Sequence, residues 1–340
     1  MLRGTFAQVH SKHKNGIFTV RLSRNARIGL IGVVVSIVAL YFIITQINLS
    51  LFGDALLAAR YEYVVPCLLL LLIGLFTRAL RWQVLLNGAL PLVRAFSIMN
   101  VAYLVNGVLP LRMGEVARVY LASRVRKPVP IPQTVSTIIV ERLLDLLAVV
   151  LLLLGALAAG PVPQQLRAAG GFAALMVMVG FAVLLMMASN RRLAQRILTL
   201  SQRLLPFLRR FAIDTWLDQF LDGLQPLTNP RMLLLALGWT AISWALSVAA
   251  GYVLMFAFFE SASWVGTALY IAAAAFAIAL PAVPGNVGTY EASILLALTA
   301  VGYEYSATTL AFAVMVHGVN VFVHASTGVI GFIQEGISLN

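Results

Sequence analysis

The chain has 340 residues, of which 61% are hydrophobic and only 11% are charged. No soluble domain can bury that much apolar surface, so the composition predicts an all-α polytopic membrane protein. The net charge of +12 does not indicate a nucleic-acid partner, because every Lys and Arg precedes Met232 and most lie in short segments between apolar runs. A single cysteine, Cys67, excludes an intrachain disulfide and a thiolate metal cluster.

The first part of the chain predicts two membrane helices. Residues 1–27 include six basic and no acidic residues, which indicates a cytoplasmic N-terminus. The apolar run at about Ile28–Ile47 lacks a cleavage site, so we expect a retained first helix. A weakly charged loop around Asp54 suits the outer side, and a second helix is expected at about Tyr63–Leu80.

A short apolar run, Ala95–Leu109, is too short to cross a membrane comfortably and ends at Pro110. Basic segments flank it on both sides, so we interpret residues 95–125 as a re-entrant hairpin that enters and leaves on the cytoplasmic side. Charged residues follow the break at once: Arg112, Glu115 and Arg118. A broken backbone with charges is tolerated at membrane depth only against protein or a water-filled cavity. The alternative is a cytoplasmic loop with ordinary surface charges.

The middle of the chain predicts two more helices and a long polar segment. The helices are expected at about Gln133–Ala159 and Gly170–Ala188. The polar segment, residues 190–231, has seven Arg and should be cytoplasmic. Apolar residues recur at roughly helical spacing over Leu193–Leu224, which fits either an amphipathic helix on the membrane surface or a solvated helical linker.

A second broken hairpin is predicted near the end of the chain, after a helix at about Met232–Phe259. The apolar run Trp264–Leu280 ends at Pro281, and a second short run follows at Ala292–Val301. Acidic flanks place the ends of this hairpin, residues 264–301, on the outer side. The last helix is expected at about Ser306–Phe332, with a cytoplasmic C-terminus. The expected structural breaks of the two hairpins are Pro110, Gly114, Pro281, Pro284, Gly285 and Gly288.

The two halves, residues 28–165 and 166–340, share the order helix, helix, broken hairpin, helix. Because the hairpins are expected to enter from opposite sides, we predict an inverted repeat with about six full spanning helices. Broken segments at matching positions of two halves indicate a transporter binding site. Free N–H groups at the ends of half-helices can hold an anionic headgroup.

The predicted helix at about Gln133–Ala159 contains three charged residues within one stretch of five: Glu141, Arg142 and Asp145. A central charge costs about 2.5–3.5 kcal/mol on insertion scales, so these groups need partners. Arg112 and Arg118 of the hairpin are candidates, as is a lipid phosphate. A buried ion-pair network that fixes the hairpin to the helix is an equally good interpretation, and one network can serve both purposes.

Other polar groups favour structural roles. Arg78 and Arg81 are expected to reach toward lipid phosphates at the interface. Two polar stripes recur at helical spacing: Ser97, Asn100, Tyr103 and Asn106, and then His317, Asn320, His324 and Thr327. A proton relay through His317, Asn320 and His324 is conceivable, but hydrogen bonds between helices are the favoured interpretation. No nucleotide, metal or nucleophile motif is present, so no cofactor is expected and a transporter is favoured over an enzyme.

The chain resembles a known family, the transmembrane, flippase-like region of lysylphosphatidylglycerol synthase/flippase proteins, over about residues 30–330. The resemblance lies in Asn106…Leu109-Pro110-x-Arg112-x-Gly114-Glu115-x-x-Arg118, in Glu141-Arg142-x-x-Asp145 and in Pro284-Gly285-Asn286-x-Gly288-x-x-Glu291. It implies movement of aminoacylated phosphatidylglycerol between leaflets. We expect a stand-alone member without the synthase domain, and such relatives are often linked to glycolipid or polyprenyl-linked sugar pathways.

The sequence therefore predicts a transporter or flippase of a bacterial-type inner membrane that moves an anionic, aminoacylated or polyprenyl-linked lipid. The alternatives are a membrane enzyme that modifies a lipid headgroup, and an accessory subunit of a lipid synthase or glycosyltransferase. The expected substrate-binding residues are Asn106, Arg112, Glu115, Arg118, Glu141, Arg142, Asp145, Asn286 and Glu291.

Overall fold

The computed structural model of the chain describes Thr45 and residues 49–109, 112–159, 164–204, 213–279 and 284–338. The N-terminal basic segment, the expected first helix apart from Thr45, and the break residues Pro110 and Pro281 lie outside these ranges. All regular elements within the described ranges are helices. This agrees with the predicted all-α fold class.

Helices of the first half follow the predicted order. They are α1 (Leu49–Leu57), a 3-10 turn (Tyr61–Tyr63), α2 (Val64–Leu85), α3 (Leu92–Val108), α4 (Met113–Arg124) and α5 (Ile131–Ala159). The loop expected around Asp54 is wrong, because this residue lies in α1, which packs against the last helix of the chain.

Helices of the second half are α6 (Gln164–Ser189), α7 (Arg191–Leu204), α8 (Ile213–Gly223), α9 (Gln225–Thr228), α10 (Pro230–Met255), α11 (Trp264–Ala279), a 3-10 turn (Pro284–Asn286), α12 (Thr289–Thr299) and α13 (Ala307–Ser338). The expected single amphipathic helix over residues 193–224 is instead divided between α7 and α8. These two helices pack together, and Arg191 of α7 pairs with Asp222 of α8 at 2.5 Å.

The protein is a multi-pass membrane protein. Within the described ranges, four segments are long and apolar enough to cross a bilayer: Tyr61–Leu85, Gly170–Ser189, Pro230–Met255 and Ala307–Gly336. Helix α5 has 29 residues and contains three charged side chains in its first half. The expected total of six spanning helices stays a prediction, since the first of them lies outside the described residues.

Helix α2 extends farther than its hydrophobicity predicts. It ends at Leu85 rather than near Leu80, so Arg81 and Trp82 lie within the helix and are fully buried. The expectation that Arg81 reaches the lipid interface is therefore wrong. Its helical position directs the side chain into the protein, where carboxylates compensate its charge.

Two helical hairpins approach each other at their tips. The first hairpin consists of α3 and α4, with 17 and 12 residues, and the second of α11 and α12, with 16 and 11 residues. At 1.5 Å per residue the longest arm is about 26 Å, less than the ~30 Å hydrocarbon core of a bilayer. A Cβ placed on Gly285 of the second hairpin would lie 3.6 Å from the carbonyl oxygen of Gly107 in the first.

Helix packing follows the same pattern in both halves. Helix α2 packs along α10, α3 along α13, and α11 against α5. The order helix, hairpin, helix occurs once in α2–α5 and again in α10–α13. Exchange of the two halves therefore maps the α3–α13 contact onto the α5–α11 contact, and the α2–α10 contact onto itself.

Glycines permit the close contact between α3 and α13. A Cβ on Gly331 would lie 2.7 Å from the carbonyl oxygen of Ser97, and a Cβ on Gly328 would lie 2.5 Å from the Cβ of Leu104. Small residues let membrane helices approach closely, and polar side chains then bond across the contact. Thr327 donates such a bond to the side-chain oxygen of Asn100 at 3.0 Å.

We predict that Gly331→Ala lowers the melting temperature of the detergent-solubilised protein, because the added methyl group has to displace the backbone of α3. Gly318→Ala is the matched control, since no atom lies within 4 Å of its added Cβ on the same helix. Alanine favours a helix over glycine by about 0.5–1 kcal/mol, so the control should melt at the same temperature or higher. Equal effects of the two substitutions would contradict the close contact.

Candidate functional site: a charge network at the first hairpin

The centre of the candidate site is an ion pair between the first hairpin and α5. Arg118 of α4 donates two hydrogen bonds to the carboxylate of Glu141, at 3.0 and 2.7 Å. The two side chains are 1% and 0% exposed. The guanidinium of Arg118 also lies 3.8 Å from the ring centroid of Trp82, so α2 covers the pair from a third side.

A second pair connects α2 with α5. Arg81 lies 2.7 Å from a carboxylate oxygen of Asp145 and 3.5 Å from Glu141. Helix α10 completes this pair, because the indole N–H of Trp244 donates to Asp145 at 3.1 Å. Arg81 therefore pairs with both acidic residues of α5.

Arg142 forms the outer edge of the same group. Its guanidinium lies 3.2 Å from Glu115, 3.6 Å from Glu141 and 3.7 Å from Asp145. The side chains of Arg142 and Glu115 are 32% and 25% exposed, whereas the inner pair is buried. This edge is the part of the network that a ligand can reach.

Three cations and three anions thus form one network, which we call the charge network: Arg81, Glu115, Arg118, Glu141, Arg142 and Asp145. Isolated buried charges are costly, and mutual pairing makes burial possible. The Nε atoms of its three arginines are buried and have no hydrogen-bond partner among the described residues.

Arg112 lies beside the open edge. It is the residue before α4 and has a left-handed backbone, with φ 55°. No carboxylate of the described chain pairs with it, although it interacts electrostatically with Glu115, Arg142 and Asp145. Non-glycine residues in this conformation cluster at functional sites.

Asn106 and Gly114 fix the tip of the first hairpin. The side-chain oxygen of Asn106 accepts a 2.7 Å hydrogen bond from the backbone N–H of Gly114. A Cβ on Gly114 would lie 2.0 Å from the carbonyl oxygen of Ala102, so only glycine fits. Asn106 therefore has a structural contact, whatever else it binds.

The second hairpin has a smaller polar cluster of its own. Its break has positive φ angles at Gly285, Asn286 and Gly288. Glu291 accepts a 2.7 Å hydrogen bond from the backbone N–H of Gly288, and its other oxygen lies 2.5 Å from Nδ1 of His317. Asn286 and Glu291 thus belong to this second cluster and not to the charge network.

The polar stripes of α3 and α13 face each other. Tyr103 stacks on His324 with ring centroids 4.9 Å apart, and Ser97 bonds the side chain of Gln334. Asn320 donates to a carbonyl oxygen of its own helix. Ser97 and the pair of Asn100 and Thr327 thus bond between helices, as the favoured interpretation predicts, whereas the bond of Asn320 does not. The proton relay through His317, Asn320 and His324 stays a prediction.

The sequence predicted that five of the six residues of the charge network lie together. It missed the sixth, and it also missed two side chains that bond to the network. These are Arg81, Trp244 and Thr240, which accepts from Arg81 at 3.3 Å. The apolar residues after Arg81 gave a signal that α2 continues past it. Within the described ranges, no group of three or more His, Cys, Asp or Glu side chains could hold a metal ion.

Comparisons with known proteins bear on the whole helical region. The profile of the family described as lysylphosphatidylglycerol synthase TM region matches residues 29–328. A glycosyltransferase, AglD of Haloferax volcanii, is 26% identical over 269 residues, which are 69% of this chain and 42% of that protein. The chain thus spans less than half the length of this relative. No solved structure matches the chain.

We predict that Glu141→Gln strongly destabilises the protein, because Arg118 and Arg81 would both lose a buried partner. Breaking a buried ion pair on one side costs about 3–5 kcal/mol. Thermal unfolding in detergent, followed by tryptophan fluorescence, measures the effect. Glu115→Gln is the control, since its partly exposed pair with Arg142 should contribute only about 1 kcal/mol or less. If both variants unfolded at the same temperature, the buried pair would not be the anchor.

Proposed function

The chain belongs to the lysylphosphatidylglycerol synthase TM-region family, and from this premise we propose that it moves a lipid between the two leaflets of a membrane. The observation that supports this function best is the open edge of the charge network beside the meeting point of two hairpins. A headgroup would bind at this polar edge while its acyl or prenyl chains remain in the bilayer.

The depth of the charge network supports a transport path. Glu141 is ten residues into α5, which corresponds to about 15 Å along the helix axis. Trp244, which bonds Asp145, lies in the middle of the apolar segment Pro230–Met255. A polar headgroup needs charged partners at such a depth, because lipid chains offer none.

An inverted repeat would supply alternating access. The exchangeable packing of the two halves, with α2 along α10 at the centre, supports a two-fold relation between them. If α2, α5, α6 and α10 each cross the membrane once, α2 and α10 run in opposite directions and the two hairpins enter from opposite sides. Transporters with this architecture bind substrate near the contact of the two repeats.

The geometry suggests different roles for the expected binding residues. Arg112 and Arg142 at the open edge would hold phosphate, and Glu115 and Asp145 would hold hydroxyl or amino groups of the headgroup. Arg118 and Glu141 are buried against each other, so they would anchor the hairpin rather than contact lipid. Glu291 would stabilise the second hairpin through Gly288 and His317.

A role beside a glycosyltransferase is the second candidate, and the relative named as one favours it. The chain would then supply or position a lipid for a partner enzyme, with α7 and α8 as the docking surface. Copurification with a glycosyltransferase or lipid synthase, together with unchanged function of Arg112→Gln, would support this role. A new covalent lipid product, detected by mass spectrometry after incubation with a donor, would instead indicate a headgroup-modifying enzyme.

Orientation and location complete the proposal. The basic segments of the first half and residues 190–231 support cytoplasmic placement of these loops. Both termini would then lie in the cytoplasm of a cell with a bacterial-type inner membrane. Protease protection of tagged termini in sealed vesicles tests this arrangement.

We predict that the purified protein, reconstituted into liposomes, accelerates leaflet exchange of fluorescent anionic or prenyl lipids. Arg112→Gln should slow exchange about fivefold or more, because it removes a cation from the open edge. Arg126→Gln, an exposed arginine after α4, is the matched control and should exchange lipid like the wild type. Exchange no faster than in empty liposomes, for every anionic and prenyl lipid, would refute the transport function.

We also predict that a covalent link between the two hairpin tips blocks transport, since alternating access requires them to separate. The test uses Gly107→Cys with Gly285→Cys in a Cys67→Ala background, because these glycines are neighbours across the hairpins. Oxidation should abolish exchange, and dithiothreitol should restore it. The same double variant kept reduced is the control, because a side chain at Gly285, with φ 71°, strains the backbone even without the covalent link. Full exchange by the oxidised double variant would show that the tips need not move.

A further inference from the structure

Two cations flank the charge network without being neutralised by it. The network itself balances three arginines against three carboxylates. Arg78 and Arg112 stand outside this balance, and no carboxylate of the described chain lies within ion-pair distance of either. The site as a whole therefore has two positive charges in excess.

Arg78 lies on the α10 side of the site. Its guanidinium is 5.7 Å from the ring centroid of Trp244 and 3.5 Å from the hydroxyl of Ser247. It also interacts electrostatically with Asp145 and His324. Arg78 thus faces the region between the charge network and the stacked pair of Tyr103 and His324.

Arg112 lies on the hairpin side of the same region. It interacts electrostatically with Arg142, Glu115 and Asp145, and its left-handed backbone places it at the tip of the first hairpin. Asp145 is therefore within electrostatic range of both unbalanced arginines. The two cations approach one carboxylate that is already engaged by Arg81.

An excess charge of two is costly in a medium of low dielectric constant unless an anion compensates it. The nearest acidic groups cannot do so, because each already has a partner. Asp145 and Glu141 both pair with Arg81, and Glu115 pairs with Arg142. Glu291 is engaged with His317 in the second hairpin. Because Arg78 and Arg112 are both partly exposed, an anionic ligand could reach them and compensate this charge.

Phosphate is the anion that fits the donors. The three cations of the charge network and the two beside it, Arg78 and Arg112, are all arginines. A planar guanidinium group can donate two parallel hydrogen bonds to the oxygens of one phosphate. The Nε atom of Arg142 is buried, unpartnered within the described residues and part of the side chain that forms the open edge. The other nitrogens of the Arg142 guanidinium, and not this buried Nε, are the donors that a ligand at the open edge could reach.

We propose that the site selects a lipid whose headgroup has two negative charges, either a phosphate monoester or a diphosphate esterified at both ends. This inference rests on the proposed function and names the substrate class of the same site. Phosphatidylglycerol, with one negative charge, would leave one arginine uncompensated. An aminoacylated phosphatidylglycerol would add amines to a site that already has excess positive charge.

The test measures how tightly a series of lipids with different headgroup charges binds to the purified protein in neutral detergent. The probes are a polyprenyl phosphate, phosphatidylglycerol and lysylphosphatidylglycerol. Their binding is measured by native mass spectrometry and by the shift in melting temperature that each lipid causes. We expect the monoester to bind at least about tenfold more tightly than phosphatidylglycerol, with the lysyl lipid weakest. Equal affinities, or tightest binding of the lysyl lipid, would overturn the proposal.

Variants test the two unbalanced arginines directly. Arg78→Gln and Arg112→Gln should each lower the affinity for the monoester about five- to tenfold. Each should lower the affinity for phosphatidylglycerol less than about twofold. Arg126→Gln should change neither affinity. A uniform loss for all lipids would assign these arginines to folding and overturn the proposal. If a variant does not fold, the charge series on the wild type still decides.

The outcomes separate this inference from transport itself. Leaflet exchange of phosphatidylglycerol or its lysyl form without a preference for dianionic lipids would uphold transport and refute the charge selection. Tight, selective binding of the monoester without any leaflet exchange would uphold the selection and refute transport.

Discussion

The ion pair between Arg118 and Glu141 is the interaction on which the rest of the site depends. A charge in the interior of a membrane protein must be paired, and this pair is both buried and bidentate. Its two members come from the first hairpin and from α5, so the pair holds the 12-residue helix α4 against the 29-residue helix α5. Trp82 covers the guanidinium and brings α2 into the same contact.

From this pair the network extends outward by sharing carboxylates. Glu141 also faces Arg81 and Arg142, and Asp145 faces the same two arginines. Exposure increases from the inner pair toward Arg142 and Glu115, so one assembly has a rigid interior and an accessible edge. This gradient separates the residues that hold the fold from those that can bind a ligand.

Backbone geometry places that edge beside the second hairpin. Gly114 lets α4 lie against α3, and Asn106 caps its first turn. Gly285 brings the second break close to Gly107 of the first. The tips of the two hairpins therefore lie next to each other, and Arg112 begins the second arm of the first hairpin.

The sequence by itself determined the membrane class, the helical fold, the approximate helices and the clustering of Glu141, Arg142 and Asp145, because hydrophobic runs and helical spacing are local properties. Even the family was accessible from three short motifs, and the match over residues 29–328 confirms it. Only the tertiary structure decided which carboxylate each arginine engages. Arg81 was expected at the lipid interface, and its burial depends on α5 and α10, which lie far away in the chain. Pairing over such distances is set by how helices pack, and local sequence does not encode it.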